Sequence, residues 1–172
     1  MAHLPDSPLV IRDGEPRDAE AIADMSRQLA VSTGSPPGLM DAERVANDLI
    51  DGRGLSVIVA EQDGRTVGYS LYTVAYETAF AARGFYMTDL CVDESARGQG
   101  IGKALMRELT ERVLADGGCF IWWVVTQENV AAQRFYDTLK GAMAPVQARV
   151  VVGDAFNALR DGRSPPAGPN GD

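Results

Sequence analysis

The chain has 172 residues, 45% of them hydrophobic, and a formal net charge of −8. That length suits one domain with one core, and the composition excludes wholesale disorder. The negative charge disfavours a nucleic-acid surface, which would carry a basic stripe; it fits either steering of a cationic substrate or an acidic surface kept for solubility.

Leu4-Pro5-Asp6-Ser7-Pro8 breaks the pattern of a charged-then-apolar leader. No apolar run approaches the ~18 residues a bilayer span needs, so the expectation is a cytoplasmic protein without membrane association. Leu9-Val10-Ile11 reads as a first strand, and Pro16 opens a helix in which Ile22, Met25 and Leu29 share a face. The segment from Ser32 to Gly38 has no apolar period and reads as loop. Asp41 is placed to cap a second helix with Val45 and Leu49 inward. Leu55 to Ala60 and Thr66 to Ala75 are strands joined across Asp63-Gly64, a strong short hairpin signal.

Phe85 to Val92 reads as the central strand, and Lys103 to Leu114 as an amphipathic helix with Ile101, Leu105, Leu109 and Val113 inward. Glu108 and Arg112 stand one turn apart on its outer face. After Gly117-Gly118, the run from Cys119 to Thr126 is apolar enough to predict a mostly buried strand. A helix with Ala132, Phe135 and Leu139 inward then runs to Gly141. Val146 to Val152 reads as a further strand and Asp154 to Arg160 as one or two helical turns. The composition of 161–172 predicts a disordered Pro/Gly-rich tail after a domain of residues 1–160. Cys91 and Cys119 both fall in apolar strand-like runs, so both are expected to be buried, reduced thiols; they make no metal-site spacing, and no metal is expected.

Between the central strand and its helix lies Arg97-Gly98-Gln99-Gly100-Ile101-Gly102-Lys103. A strand, a Gly-rich turn and a helix in that order make a cradle of backbone N–H groups at a positive helix end. A P-loop does not fit, because Ala104 follows Gly102-Lys103 and Arg97 stands where the first glycine belongs. A dinucleotide fingerprint fits poorly, with Lys103 at its last place. An ordinary strand-to-helix turn is the plain alternative. Arg97-x-x-Gly100-x-Gly102 instead resembles the acetyl-CoA pyrophosphate loop of the GNAT (Gcn5-related) N-acetyltransferases, and Asn129-x-x-Ala132-x-x-Phe135-Tyr136 resembles that family's second signature.

The resemblance implies an α/β (α+β) fold of one domain: a mixed, mostly antiparallel sheet with a splayed parallel strand pair and helices on both faces. It implies acetyl-CoA as co-substrate, bound by Arg97, Gly98, Gln99, Gly100, Ile101, Gly102 and Lys103 in the loop. Leu90, Cys91 and Val92 are implied to bond pantetheine through their backbone beside a strand bulge that the sequence does not locate. Asn129 is implied to touch CoA, although Asn is also a good helix cap. Tyr136 matches the family's general acid for the departing sulfur, its alternative being an ordinary packed tyrosine. Asp89, and after it Glu77, are candidates to take the amine proton.

Tyr86-Met87-x-Asp89-Leu90-x-Val92 resembles the diamine and thialysine N-acetyltransferase branch, implying a small primary amine acceptor and a homodimer. Thr88 replaces an acid usual there, and with Thr33, Tyr76, Glu77 and Asp89 it is expected on the acceptor side. Transfer to a protein lysine or N-terminus and a non-catalytic acyl-CoA sensor are the rival functions. A ping-pong route through Cys91 needs an activating base, and the single histidine is His3.

Overall fold

A computed structural model of the chain describes residues 8–32 and 39–163. Strand β1 (Val10–Asp13) leads into a 3-10 turn, Pro16–Asp18, and helix α1 (Ala19–Ser32). Pro16 opens this segment as expected, and the Asp18 carboxylate accepts the Glu15 N–H at 2.8 Å to close a capping box. The expected loop from Ser32, including Thr33, lies at 33–38 outside the described residues. Asp41 caps α2 (Ala42–Arg44) by accepting the Arg44 N–H at 2.8 Å, and a π-helical stretch, Val45–Ile50, continues it with Val45 and Leu49 buried.

Strands β2 (Ser56–Gln62) and β3 (Arg65–Glu77) form the expected hairpin. Asp63 and Gly64 have φ of 53° and 71°, the pair of left-handed residues that a type I′ turn requires. Strand β4 (Ala82–Val92), helix α3 (Ile101–Ala115), strand β5 (Phe120–Trp122) and helices α4 (Val130–Asp137) and α5 (Gly153–Arg160) complete the order. One five-stranded sheet runs β1-β2-β3-β4-β5, antiparallel except for the parallel pair β4/β5.

Strand alternation divides the core between the two faces. On one face Val57, Val59, Tyr69, Leu71 and Cys91 pack under Ile22, Met25, Val45 and Leu49 of the first helices. On the other, α3 buries Ile101, Leu105, Met106, Leu109 and Val113, the expected inward positions with Met106 added. Tyr72 and Phe85 stack there with ring centroids 4.6 Å apart, and Arg112, paired along its own helix with Glu108 at 2.9 Å, ties α3 to the sheet by meeting Asp13 of β1 at 2.5 Å and the Tyr72 hydroxyl at 3.3 Å.

Three expectations fail. The run from Cys119 to Thr126 gives only three residues of strand, half-buried or exposed, because β5 is the edge of the sheet and has a partner on one side only. Cys119, just before it, is exposed rather than buried. Val146 to Val152 forms no strand: Val146, Val150, Val151 and Val152 are 45% to 81% exposed, and β-branched residues need a neighbouring edge to express their strand preference. The described residues group into two compact units, one ending at Phe135 and one beginning at Tyr136; the second contains α5, where Ala158 is buried.

Candidate active site

The expected anion cradle lies in the segment between β4 and α3. Gly98 and Gly100 have φ of 80° and 84°, a region where a side chain is strained, and a Cβ at either would meet nothing within 4 Å. Gly100 caps α3 without a side chain, no acidic residue sits in the first turn, and Lys103 adds a positive charge there. The first helical bond runs from Ala104 N–H to Gly100 O at 3.0 Å, so the amides of Ile101, Gly102 and Lys103 have no acceptor within the helix. Ile101 turns its side chain into the core and offers the cradle only its backbone. Arg97 braces the turn, its Nε donating to Val92 O at 3.1 Å and its Nη1 meeting Glu94 Oε1 at 3.2 Å. A Cβ on Gly102 would stand 3.1 Å from the Phe135 ring, so that ring would have to give by a few tenths of an ångström to admit one.

The structure locates the bulge. Leu71 pairs with Asp89 and Tyr72 with Met87, leaving Thr88 as the extra residue of β4, its hydroxyl donating to Leu71 O at 3.3 Å. Below the bulge β4 and β5 pair at Gly84↔Phe120, Phe85↔Ile121 and Tyr86↔Trp122. That approach depends on Gly84, where a Cβ would lie 2.4 Å from Phe120 O. Above it β4 continues to Val92 without a β5 partner, as expected where a bulge increases strand twist. Leu90, Cys91 and Val92 therefore line the opened side of a V, leading directly into the cradle.

Asp89 shares a sheet face with its partner Leu71, the face covered by α1. It is half-buried, its carboxylate has no hydrogen-bond partner among the described residues, and burial raises its pKa above the usual carboxylate value. Its carbonyl accepts the Ser70 hydroxyl at 2.8 Å, fixing the backbone at this point. Beside it the fully buried Tyr69 hydroxyl finds no hydrogen bond of normal geometry. Burial first, then the charges of Asp89 and Cys91, push that phenol upward, and the Ser26 hydroxyl offsets this only in part. Cys91 is 5% exposed with Sγ 3.6 Å from Met25 O, and burial pushes its thiol up to about 11. Such a thiol is a poor nucleophile at neutral pH, which disfavours the ping-pong route.

Of the expected acceptor-side residues, Tyr76 and Glu77 close β3, and Glu77 Oε1 accepts the Ala79 N–H at 3.0 Å. With Ala75, Tyr86, Phe120 and Trp122 they line a cleft of about 230 Å³. Sequence reasoning missed these last three aromatics. The signal was the two-residue period of Phe120 and Trp122, which puts both rings on one face. Asn129 caps α4, accepting the Ala132 N–H on Oδ1 at 3.1 Å. Tyr136 is half-buried near the end of that helix.

The model of the Acetyltransferase (GNAT) family matches residues 24–141. The chain belongs to the GNAT acetyltransferase family. The GNAT match contains the cradle, the bulge and α4, all of the features just described. A thialysine N-epsilon-acetyltransferase of Sus scrofa is 30% identical over 145 residues, covering 76% of this chain and 82% of that protein. The L-ornithine N5-acetyltransferase NATA1 of Arabidopsis thaliana is 31% identical over 94 residues, covering 54% of this chain and 41% of its own length. This chain thus spans less than half of that relative. Among solved structures, an integron cassette protein from the Vibrio cholerae mobile metagenome superposes with a TM-score of 0.75 at 22% identity, covering 88% of this chain and 97% of its own. That likeness shows a shared fold.

Proposed function

We propose that this chain is an N-acetyltransferase that moves the acetyl group of acetyl-CoA to the primary amine of a small molecule by direct attack. The observation that carries the reading is the continuity of bulge, unpaired β4 edge and glycine cradle from Thr88 to Lys103. Bare amides at the start of α3 fit a diphosphate, because the open space over Gly98 and Gly100 is where a side chain would otherwise intrude. The β4 edge at Leu90, Cys91 and Val92 would hold an extended pantetheine arm through backbone bonds, and one of its N–H groups is the candidate donor to the thioester carbonyl oxygen. When bound, acetyl-CoA supplies an activated acetyl thioester.

The remaining work is proton transfer. An alkylamine of pKa about 10.4 is almost wholly protonated at neutral pH, which opposes attack by about 4.6 kcal/mol at pH 7. Asp89 takes that proton, directly or through water, and its raised pKa makes it a better base than an exposed carboxylate. The amine nitrogen then bonds to the acetyl carbon, the carbon–sulfur bond breaks, and Tyr136 gives its phenolic proton to the departing sulfur. Relatives named for thialysine, ornithine and diaminobutyrate acetylation support a small amine over a protein acceptor. The protein is taken to work in the cytoplasm as a homodimer, a state that light scattering reads directly.

The experiment is thiol release measured against a panel of amines with wild type and Tyr136→Phe. A loss of about 10²-fold or more in kcat for the variant, with CoA affinity kept, is expected of a general acid. Full kcat across pH in Tyr136→Phe would remove that assignment.

A further inference from the structure

Ser70 is a polar side chain with no exposure at all, set with Gly68 and Tyr72 on the face of the sheet that α3 covers. Its hydroxyl reaches across to β4 and donates at 2.8 Å to the main-chain oxygen of Asp89, the residue that follows the bulge at Thr88. The Asp89 carbonyl is therefore turned toward β3. The peptide bond between Asp89 and Leu90 is trans, and a trans peptide unit is flat, with its C=O and N–H pointing to opposite sides. The other end of this unit is the Leu90 N–H, which must then point away from β3, into the opened side of the V.

The ladder gives the same direction independently. The Asp93 N–H donates to Val67 O at 2.9 Å, so antiparallel alternation turns the main-chain groups of Cys91 toward β3 and those of Val92 and Leu90 away from it. Val92 agrees, because its oxygen is met at 3.1 Å by Arg97 Nε from the loop. Of the three residues along the opened edge, Leu90 and Val92 thus offer their amides to the V, and Leu90 is the one beside Asp89. We propose that Ser70 is a positioning residue for acetyl transfer: by holding the Asp89 carbonyl against β3, its hydroxyl aims the Leu90 N–H, on the far side of the same peptide, at the thioester carbonyl oxygen. A bulge disrupts the ladder and bends its strand, so the peptide next to it needs a tether to keep one orientation. A donor held in advance stabilises charge developing on oxygen without reorganising as the reaction proceeds. This rests on the acetyl-transfer reading and adds to it the side chain that orients the donor.

The test compares wild type, Ser70→Ala and Ser70→Thr, with circular dichroism and melting curves showing that each is folded. Acetyl-CoA isotopically labelled at its thioester carbonyl is bound without amine and the carbonyl stretch is read by infrared difference spectroscopy; thiol release is then measured against a panel of amines. A hydrogen bond to the thioester oxygen lowers that stretch, so the band should lie at higher frequency on Ser70→Ala than on wild type. In the same variant kcat should fall by about tenfold or more while KM for acetyl-CoA stays within about twofold. Ser70→Thr keeps the hydroxyl and should restore the band and most of kcat. A band unchanged in Ser70→Ala with thiol release kept overturns the proposal and leaves acetyl transfer standing, and an equal loss in Ser70→Ala and Ser70→Thr overturns it as well, since packing would then explain both. A band shift that depends on Ser70, with no thiol release by wild type for any amine, would uphold the tether and refute acetyl transfer to those amines instead.

Discussion

The two ends of the sheet are built on opposite principles. At the β1–β2–β3 end polar groups are closely paired: Asp18, 2% exposed, takes Arg12 on both oxygens at 2.7 and 2.8 Å, the Thr66 hydroxyl at 2.5 Å and the Glu15 amide at 2.8 Å. Arg12 also reaches Glu61 at 2.6 Å, so β1, β2 and the start of α1 are pinned together. At the β4/β5 end pairing stops after three residues, the first three α3 amides have no helical acceptor, and the half-buried Asp89 carboxylate accepts no hydrogen bond among the described residues. The difference teaches where this fold keeps its stability and where it leaves groups unsatisfied for a ligand. Unmade bonds are costly in a folded chain, and their concentration along one opened edge is what supports the proposed site there.

The largest effect should come from the unsatisfied end. Asp89→Asn is expected to lower kcat by about 10³-fold and to abolish the acidic limb of the pH profile, read by thiol release. The same change should raise the melting temperature. Burial lifts the Asp89 pKa above its unfolded value, so the folded state binds the proton more tightly and the charged form destabilises the fold as pH rises through that pKa. A variant that loses both activity and stability would break the comparison.

Asp18→Ala should behave in the opposite sense, costing about 3 kcal/mol in denaturant unfolding with kcat unchanged, because it leaves Arg12 with Glu61 alone and takes the acceptor from the Glu15 amide and the Thr66 hydroxyl. Burial alone would raise the Asp18 pKa, but the hydrogen bonds from Arg12, Thr66 and Glu15 outweigh it and hold the group at about 2. With the folded pKa depressed, this stabilisation is present above the unfolded value near ~3.9 and is lost as pH falls through about 2. Acid unfolding of wild type should therefore show a contribution that the variant lacks.

The smallest effect is expected at Tyr69→Phe. Its hydroxyl is buried without a well-formed bond, so removing it should change stability by less than about 1 kcal/mol, in the stabilising direction. A clear loss would show that the hydroxyl is satisfied after all and that the unpaired region stops short of it.

Features that depend on neighbours in sequence were legible without a structure. Asp63-Gly64 fixes its hairpin by local backbone preference, Asp41 caps by a three-residue reach, and Ile101, Leu105, Leu109 and Val113 declare a face through helical period. The glycine turn before α3 was legible for the same reason, since Gly98, Gly100 and Gly102 lie within a few residues of one another. What depends on a remote partner was not. The apolar run from Cys119 gave no sign that its strand would be an edge only three residues long. Thr88 carries no signal of a bulge, because the extra residue exists only relative to the register of β3. Val146 to Val152 has the composition of a strand and lacks the edge that would make it one.

The most direct test of the cradle is calorimetric titration of CoA into wild type and Gly100→Val, with circular dichroism confirming that both are folded. A β-branched side chain at φ of 84° strains the turn and fills the open space above it. Binding to wild type, weakened tenfold or more in the variant, is the predicted result. No CoA binding by folded wild type, or equal binding by the two proteins, would contradict it.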